Sequence, residues 1–229
     1  MLSEITLSNF KCFKETTTFP LANINLLTGI NGRGKSSVLQ ALLLMKQSVD
    51  IDKNTEQVYL NGNCVELGTI KDVKNTNTLV EEPIVITFKT NIAAFKGVSL
   101  QASYEFATNE IIKPNGVSIP INLNDRHLII KKIRFNSNYE FNIHFGNNYP
   151  AIDKDKTSNT HCLDLIENRL QNKHIDLHLP LHLVFDNLMP LFLFDIKNRP
   201  AQLHYYLINF QKIHYISADR IGQILKRLN

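Results

Sequence analysis

Near the start of the chain, Gly29-Ile30-Asn31-Gly32-Arg33-Gly34-Lys35-Ser36 satisfies the spacing G-x-x-x-x-G-K-[ST]. Each fixed residue type has a chemical reason to be there. Glycines reach backbone angles closed to other residues, so several N–H groups can converge on one anion. A helix opening directly after the loop aims its positive end at the same anion. Lys35 can reach the β- and γ-phosphates of a nucleotide as a mobile point charge, and the Ser36 hydroxyl can enter a magnesium shell. Ser37 falls at the helix start, where its backbone N–H could also face phosphate. The pattern therefore predicts a binding site for ATP with Mg2+ built from Gly29, Asn31, Gly32, Arg33, Gly34, Lys35, Ser36 and Ser37.

Such a loop works only between a strand and a helix. Asn23–Thr28 alternates polar and apolar residues and leads straight into the glycines, as a strand would. After the loop, Val38, Leu39, Leu42 and Met45 recur at three- and four-residue steps, predicting a helix over about Lys35–Gln47. Ahead of both, Ile5 and Leu7 alternate with polar residues as a half-buried strand, and Thr16–Phe19 reads as a short second one. Residues 48–77 are polar and turn-rich, with Asn61-Gly62 as a hairpin signal. From about residue 78 to 150 short alternating segments follow: Ile84–Phe88, Val98–Phe106, Val117–Ile121, His127–Phe135 and Tyr139–Phe145. Turn residues punctuate them, which predicts an antiparallel meander. Beyond Pro150 the periodicity becomes helical around Leu163, Ile166 and Leu170, and again from Pro200 through Leu203, Leu207 and Phe210; Ile213–Ser217 reads as a last strand. The expected organisation is a nucleotide-binding core over 1–77, a sheet subdomain over 78–150 and a mixed helical segment over 151–229.

The stretch Asn9-Phe10-Lys11-Cys12-Phe13, then NINLLT, then GINGRGKSSVLQALLLMKQS resembles the start of ABC-type ATPase heads, in particular the RecF/SMC/OLD-like group of bacterial AAA-family ATPases. Asn31 within the loop, the position of the loop near the N-terminus and the preceding NFK are all similar to that group. So are Leu60–Val73 and, faintly, His214–Gly222 (HYISADRIG). The resemblance implies an α/β P-loop lobe carrying the meander and a C-terminal helical segment. It implies Lys11 beside the nucleotide, and Gln57 or Gln47 as candidates for a magnesium- and water-sensing glutamine. It also implies a homodimer or complementary ATPase half, DNA-linked work in repair or phage defence, and a cytoplasmic setting. Heads of this kind carry a signature serine-glycine segment and an apolar run ending Asp-Glu. Here Leu183–Asp186 and Phe192–Asp195 mimic such a run without the glutamate, which predicts an incomplete head, from a split gene, a truncation or a remnant, that binds ATP and turns it over very slowly; the alternatives are a nucleotide-gated binding module that clamps ATP without hydrolysis and presents the Thr78–Tyr149 sheet to a partner, or a non-functional fragment of a longer ATPase.

Composition narrows the alternatives. The net charge of +4, from 25 basic and 21 acidic residues, is too small to argue for nucleic acid by itself. The longest uninterrupted aliphatic run is Ala41–Met45, far short of a membrane span. MLSEIT lacks the features of a secretory signal. Cys12, Cys64 and Cys162 are too dispersed for a disulfide framework or a metal site. His174, His178 and His182, interleaved with Asp176, would form a metal-binding face on a helix, but Pro180 and the alternating leucines favour a solvated strand face. Lys131–Phe135 mixes basic and aromatic residues and reads first as a solvated strand, second as a nucleic-acid contact.

Overall fold

The computed structural model describes residues 2–55, 57–91, 99–112, 118–135, 139–146, 149–152, 181–182, 185–190 and 209–214. Ordered along the chain, these form β1 (Leu2–Ser8), β2 (Thr17–Pro20), α1 (Lys35–Ile51), β3 (Gln57–Tyr59), α2 (Ile70–Val73), β4 (Ile84–Asn91) and β5 (Ser99–Ala107). They continue with β6 (Glu110–Ile112), β7 (Ser118–Pro120), β8 (His127–Phe135), β9 (Tyr139–Gly146), β10 (Tyr149–Ile152), β11 (Leu181–His182), β12 (Phe185–Asp186), β13 (Met189–Pro190) and a 3-10 turn at Phe210–Lys212.

Nine of the strands join one sheet in the order β11-β10-β9-β8-β5-β4-β1-β2, with β3 paired to β8 beside β9. Every pairing among the described residues is antiparallel. The expected meander is present, and β1 joins it by running against β4 from Leu2 to Ser8. One sheet thus draws strands from both the 1–77 and the 78–150 stretches. The period-2 pattern decides which side chains go inward: Ile5 and Leu7 on β1, and Ile84, Ile86 and Phe88 on β4, are fully buried.

The helix α1 covers this inner face. Val38, Ala41, Leu44, Met45 and Val49 enter the core, at spacings that place them along one side of a helix. Beneath them Phe88, Tyr104 and Phe210 meet edge to face, with ring centroids 5.2 Å apart for Phe88–Phe210 and 6.5 Å for Tyr104–Phe210. Burial pushes the Tyr104 hydroxyl far above its ordinary value, so it stays neutral. Leu39, expected on the buried face, is 48% exposed. It faces an open apolar cleft of about 670 Å³ that Leu42 and Val38 also line.

That cleft marks the main departure from expectation. Asn23–Thr28 is not a strand: the chain leaves the sheet at Leu21, whose N–H still reaches Ser3 O at 2.7 Å, and runs on as exposed coil. Ile24 is 89% and Leu26 85% exposed. The alternation is a real strand pattern, but no neighbouring strand among the described residues offers its backbone partners, and strands do not form without them. The expected helices around Leu163–Leu170 and from Pro200 to Leu207 lie outside the described residues, as do His174, His178 and Phe192–Asp195. The strand expected from Ile213 is absent at Ile213 and His214, where the chain instead leaves the 3-10 turn, and Tyr215–Gly222 lies outside the described residues.

Phe88→Ala removes a fully buried ring that two other aromatic rings contact. It should lower the unfolding free energy in a urea titration by about 3–5 kcal/mol without altering the far-UV spectrum of the folded state.

Candidate functional site

Gly29–Arg33 forms an exposed loop that passes through the buried Gly34 into α1. Gly29, Gly32 and Gly34 all have positive φ, at 128°, 81° and 89°. These are angles at which a side chain is strained, which is why the loop needs glycine there. The result is a run of unspent donors. Among the described residues, no backbone or side-chain acceptor takes the N–H groups from Gly29 through Ser36. A Cβ built on Gly29 or Gly32 would meet nothing within 4 Å, so there is open space beside both residues. No acidic residue occupies the first turn of α1 and no side chain caps it, which leaves the helix's positive end uncompensated.

The cations stand close by. The Lys35 ammonium donates to the carbonyls of Gly29 at 2.5 Å and Ile30 at 2.8 Å, so it lies across the loop it follows. Arg33 is exposed and makes no ion pair among the described residues. Ser36 is exposed at the helix start, with its hydroxyl uncommitted among the described residues. Ser37 differs from expectation: its N–H is donated to Gly34 O at 3.0 Å, so that amide is already used inside the first turn, and the residue is buried.

Lys11 reaches the same neighbourhood through its own turn. Phe10 and Phe13 exchange backbone hydrogen bonds of 3.0 and 2.9 Å around Lys11 and Cys12. Lys11 is half-buried, and desolvation lowers its pKa below the usual lysine value while Asp72 and Cys12 oppose the shift. Cys12 and Phe13 press on the phosphate loop: a Cβ on Gly34 would lie 2.4 Å from Phe13 Cζ and 2.6 Å from Cys12 Sγ. Sequence reasoning singled out Lys11 but missed these two neighbours, because nothing in residue type or spacing announces that a turn at 10–13 will abut position 34.

The glutamine candidates sit elsewhere. Gln47 lies about 18 Å along α1 from Lys35. It is 1% exposed and fully engaged, donating to Tyr59 O at 2.6 Å and accepting from Val65 N at 2.9 Å. It is therefore a structural staple for the 59–65 hairpin rather than a metal sensor. Gln57 lies on β3, paired with Ile129, and that strand meets α1 at Ser48, whose hydroxyl accepts Tyr59 N–H about 20 Å along the helix from Lys35. The backbone of Asp186 lies at the far end of that helix, since Asn187 N–H donates to Lys53 O at 2.8 Å. His182 pairs with Ala151 on β11, and Lys131 is an exposed residue of β8; the side chains of Lys132, Arg134 and Phe135 lie outside the described residues. No group of three or more His, Cys, Asp or Glu among the described residues could hold a metal ion.

A glycine loop with unpaired amides among the described residues, a lysine lying across it and a hydroxyl at the helix start together present donors suited to an anion. The family model for the AAA ATPase domain matches residues 1–223, nearly the whole chain. This chain belongs to the AAA ATPase domain family. Members are nucleotide-binding ATPases, and within this one the open loop at Gly29–Ser36 is where the described geometry offers an anion its donors. No curated protein matches the chain. No helix among the described residues is long and apolar enough to cross a membrane.

Two alanine substitutions separate backbone strain from crowding. Gly32→Ala should cost only the left-handed backbone penalty, about 1–2 kcal/mol. Gly34→Ala should cost about 1–3 kcal/mol more, because the new methyl overlaps Phe13 and Cys12. Chemical unfolding measures both, and adding Phe13→Ala to Gly34→Ala should recover part of the difference.

Proposed function

We propose that the chain binds Mg-ATP at Gly29–Ser36 and serves as the phosphate-gripping lobe of an ABC-type ATPase head of the RecF/SMC/OLD-like group. The run of unspent N–H groups at the positive end of α1 carries this reading. Amides of Ile30 through Ser36 would hold the β- and γ-phosphates. Lys35 would exchange its two loop carbonyls for phosphate oxygens, replacing neutral acceptors with charged ones. Arg33 and Asn31, both exposed on the loop, would flank the polyphosphate, and Lys11 would add positive charge from the turn beside Gly34. Bound magnesium would neutralise phosphate charge, and the Ser36 hydroxyl is the loop's ligand for it.

Binding and turnover are separate properties. The loop supplies positioning and part of the charge stabilisation, but hydrolysis also needs a group that orients water. The chain is therefore proposed to bind ATP far better than it cleaves it, with turnover below the roughly 1 s⁻¹ at the low end of ordinary enzymes. A second reading follows from the exposed alternating segment Asn23–Thr28. Its backbone, unpaired among the described residues, and its apolar side chains beside the open cleft suit an added strand, so a complementary ATPase half that pairs there would complete the head and carry the DNA-linked or defence role that the resemblance implies.

Lys35→Ala should weaken Mg-ATP binding by calorimetry about 10- to 100-fold while leaving the unfolding free energy within about 0.5 kcal/mol. Ser36→Ala should remove most of the magnesium dependence of binding. Undiminished magnesium dependence in that variant would disprove its assignment, and phosphate release at an ordinary enzyme rate, lost on Lys35→Ala, would overturn the binding-without-turnover reading.

A further inference from the structure

Two of the four non-glycine residues with positive φ among the described residues, Asn9 at 55° and Lys11 at 52°, lie within three positions of each other. A left-handed conformation costs most residues with a side chain roughly 1–2 kcal/mol, less for asparagine, so Lys11 is the more strained of the two, and such strain persists only where surrounding contacts impose it. Asn9 N–H bonds within the turn, to Lys14 O at 3.2 Å; the other contacts come from one segment, Val73–Pro83. Asn9 is 3% exposed; its amide nitrogen donates to Glu82 O at 2.6 Å and Pro83 O at 3.1 Å, and its side-chain oxygen accepts from the Thr78 hydroxyl. Lys11 is held on both sides of its residue: its N–H donates to Val73 O at 2.6 Å, and Asn75 Nδ2 donates to Lys11 O at 2.6 Å. Asn75 N–H also donates to Asn9 O at 3.3 Å, so one asparagine grips both strained residues.

The strained turn presents Cys12 and Phe13 to Gly34, the residue that caps α1 and closes the phosphate loop. No ordinary separation remains between them, so a shift of the turn must be felt by the loop or open a gap beside it. The turn also serves packing: Phe10, between the two left-handed residues, is fully buried in the core, and Phe13 packs against its edge.

We propose that the Phe10–Phe13 turn is a second wall of the nucleotide site and that Asn75, which touches neither loop nor nucleotide, is the positioning residue that sets it. The inference rests on the reading of Gly29–Ser36 as the Mg-ATP site. Through Asn75, the wall connects the phosphate loop to the capped helix α2, where Thr69 and Asp72 bond reciprocally. Occupancy of the loop and the conformation of residues 69–83 are then coupled.

Cys12 is an exposed thiol and reports directly on the wall. Its alkylation by N-ethylmaleimide, followed on the Cys12 peptide by mass spectrometry, should slow several-fold in the wild-type chain when Mg-ATP is added. Asn75→Ala should speed alkylation without nucleotide and raise the calorimetric Kd for Mg-ATP about five- to tenfold, the loss of one positioning hydrogen bond. Ser48→Ala is the control: it removes a buried hydroxyl bonded to Leu44 O and Tyr59 N at the far end of α1, and should lower stability while leaving Kd unchanged. Equal Kd values for Asn75→Ala and the wild type, or Cys12 alkylation indifferent to bound Mg-ATP, would overturn the wall. Failure of the wild-type chain to bind Mg-ATP at all would instead fell the nucleotide reading on which it rests.

Discussion

The structure turns on a set of hydrogen bonds that the chain does not make for itself. Folding normally pairs backbone donors, and here a continuous run from Gly29 to Ser36 is held in a defined shape with none of its N–H groups given to another atom among the described residues. Water can solvate such groups, but it does not explain why three glycines hold them at angles other residues avoid. An anion with several oxygens satisfies many of these donors together, and the open end of α1 adds its partial charge. The Lys35 ammonium, resting on Gly29 O and Ile30 O, ties the start of the loop to the helix that follows it.

The rest of the described fold holds that loop still. An antiparallel sheet offers one apolar face, and α1 lays Val38, Ala41, Leu44 and Met45 on it. Helix burial of this extent is what makes a 17-residue helix persistent, since isolated helices of that length are marginal in water. The loop's other flank is the strained turn at Asn9–Phe13, imposed by Asn75, Thr78 and the Glu82–Pro83 carbonyls. Two of the four non-glycine residues with positive φ among the described residues thus lie in the turn beside the loop, the others being Asn187 and Leu188, and the side chains that hold this turn lie more than sixty positions away in sequence.

Much of this was legible without coordinates, and the division follows the range of the interactions. The loop could be read because its glycines, lysine and serine act within nine residues of one another, so spacing alone encodes the geometry. Strands β4, β5, β8 and β9 were legible because burial of one sheet face imposes period two, and their observed ends fall within a few residues of those the alternation predicts. Pairing was not legible: nothing local says that β1 runs against β4 or that β3 joins β8. Asn23–Thr28 shows the same limit from the other side. Its side chains alternate as a strand's do, yet a strand also needs a neighbour, which no alternation can reveal. The work of Gln47, the left-handed angles at Asn9 and Lys11, and the pressure of Cys12 and Phe13 on Gly34 are all non-local, and all were invisible in the sequence.

The central claim concerns particular amides, so the most direct test watches them one at a time. In a ¹⁵N-labelled sample, titration with Mg-ATP should shift the amide resonances of Ile30 through Ser36 strongly and together, move the Lys35 side-chain signal with them, and leave the amides of β9 and β10 in place. Saturating Mg-ATP with no perturbation across residues 29–37, or with the largest shifts anywhere else in the chain, would contradict the account.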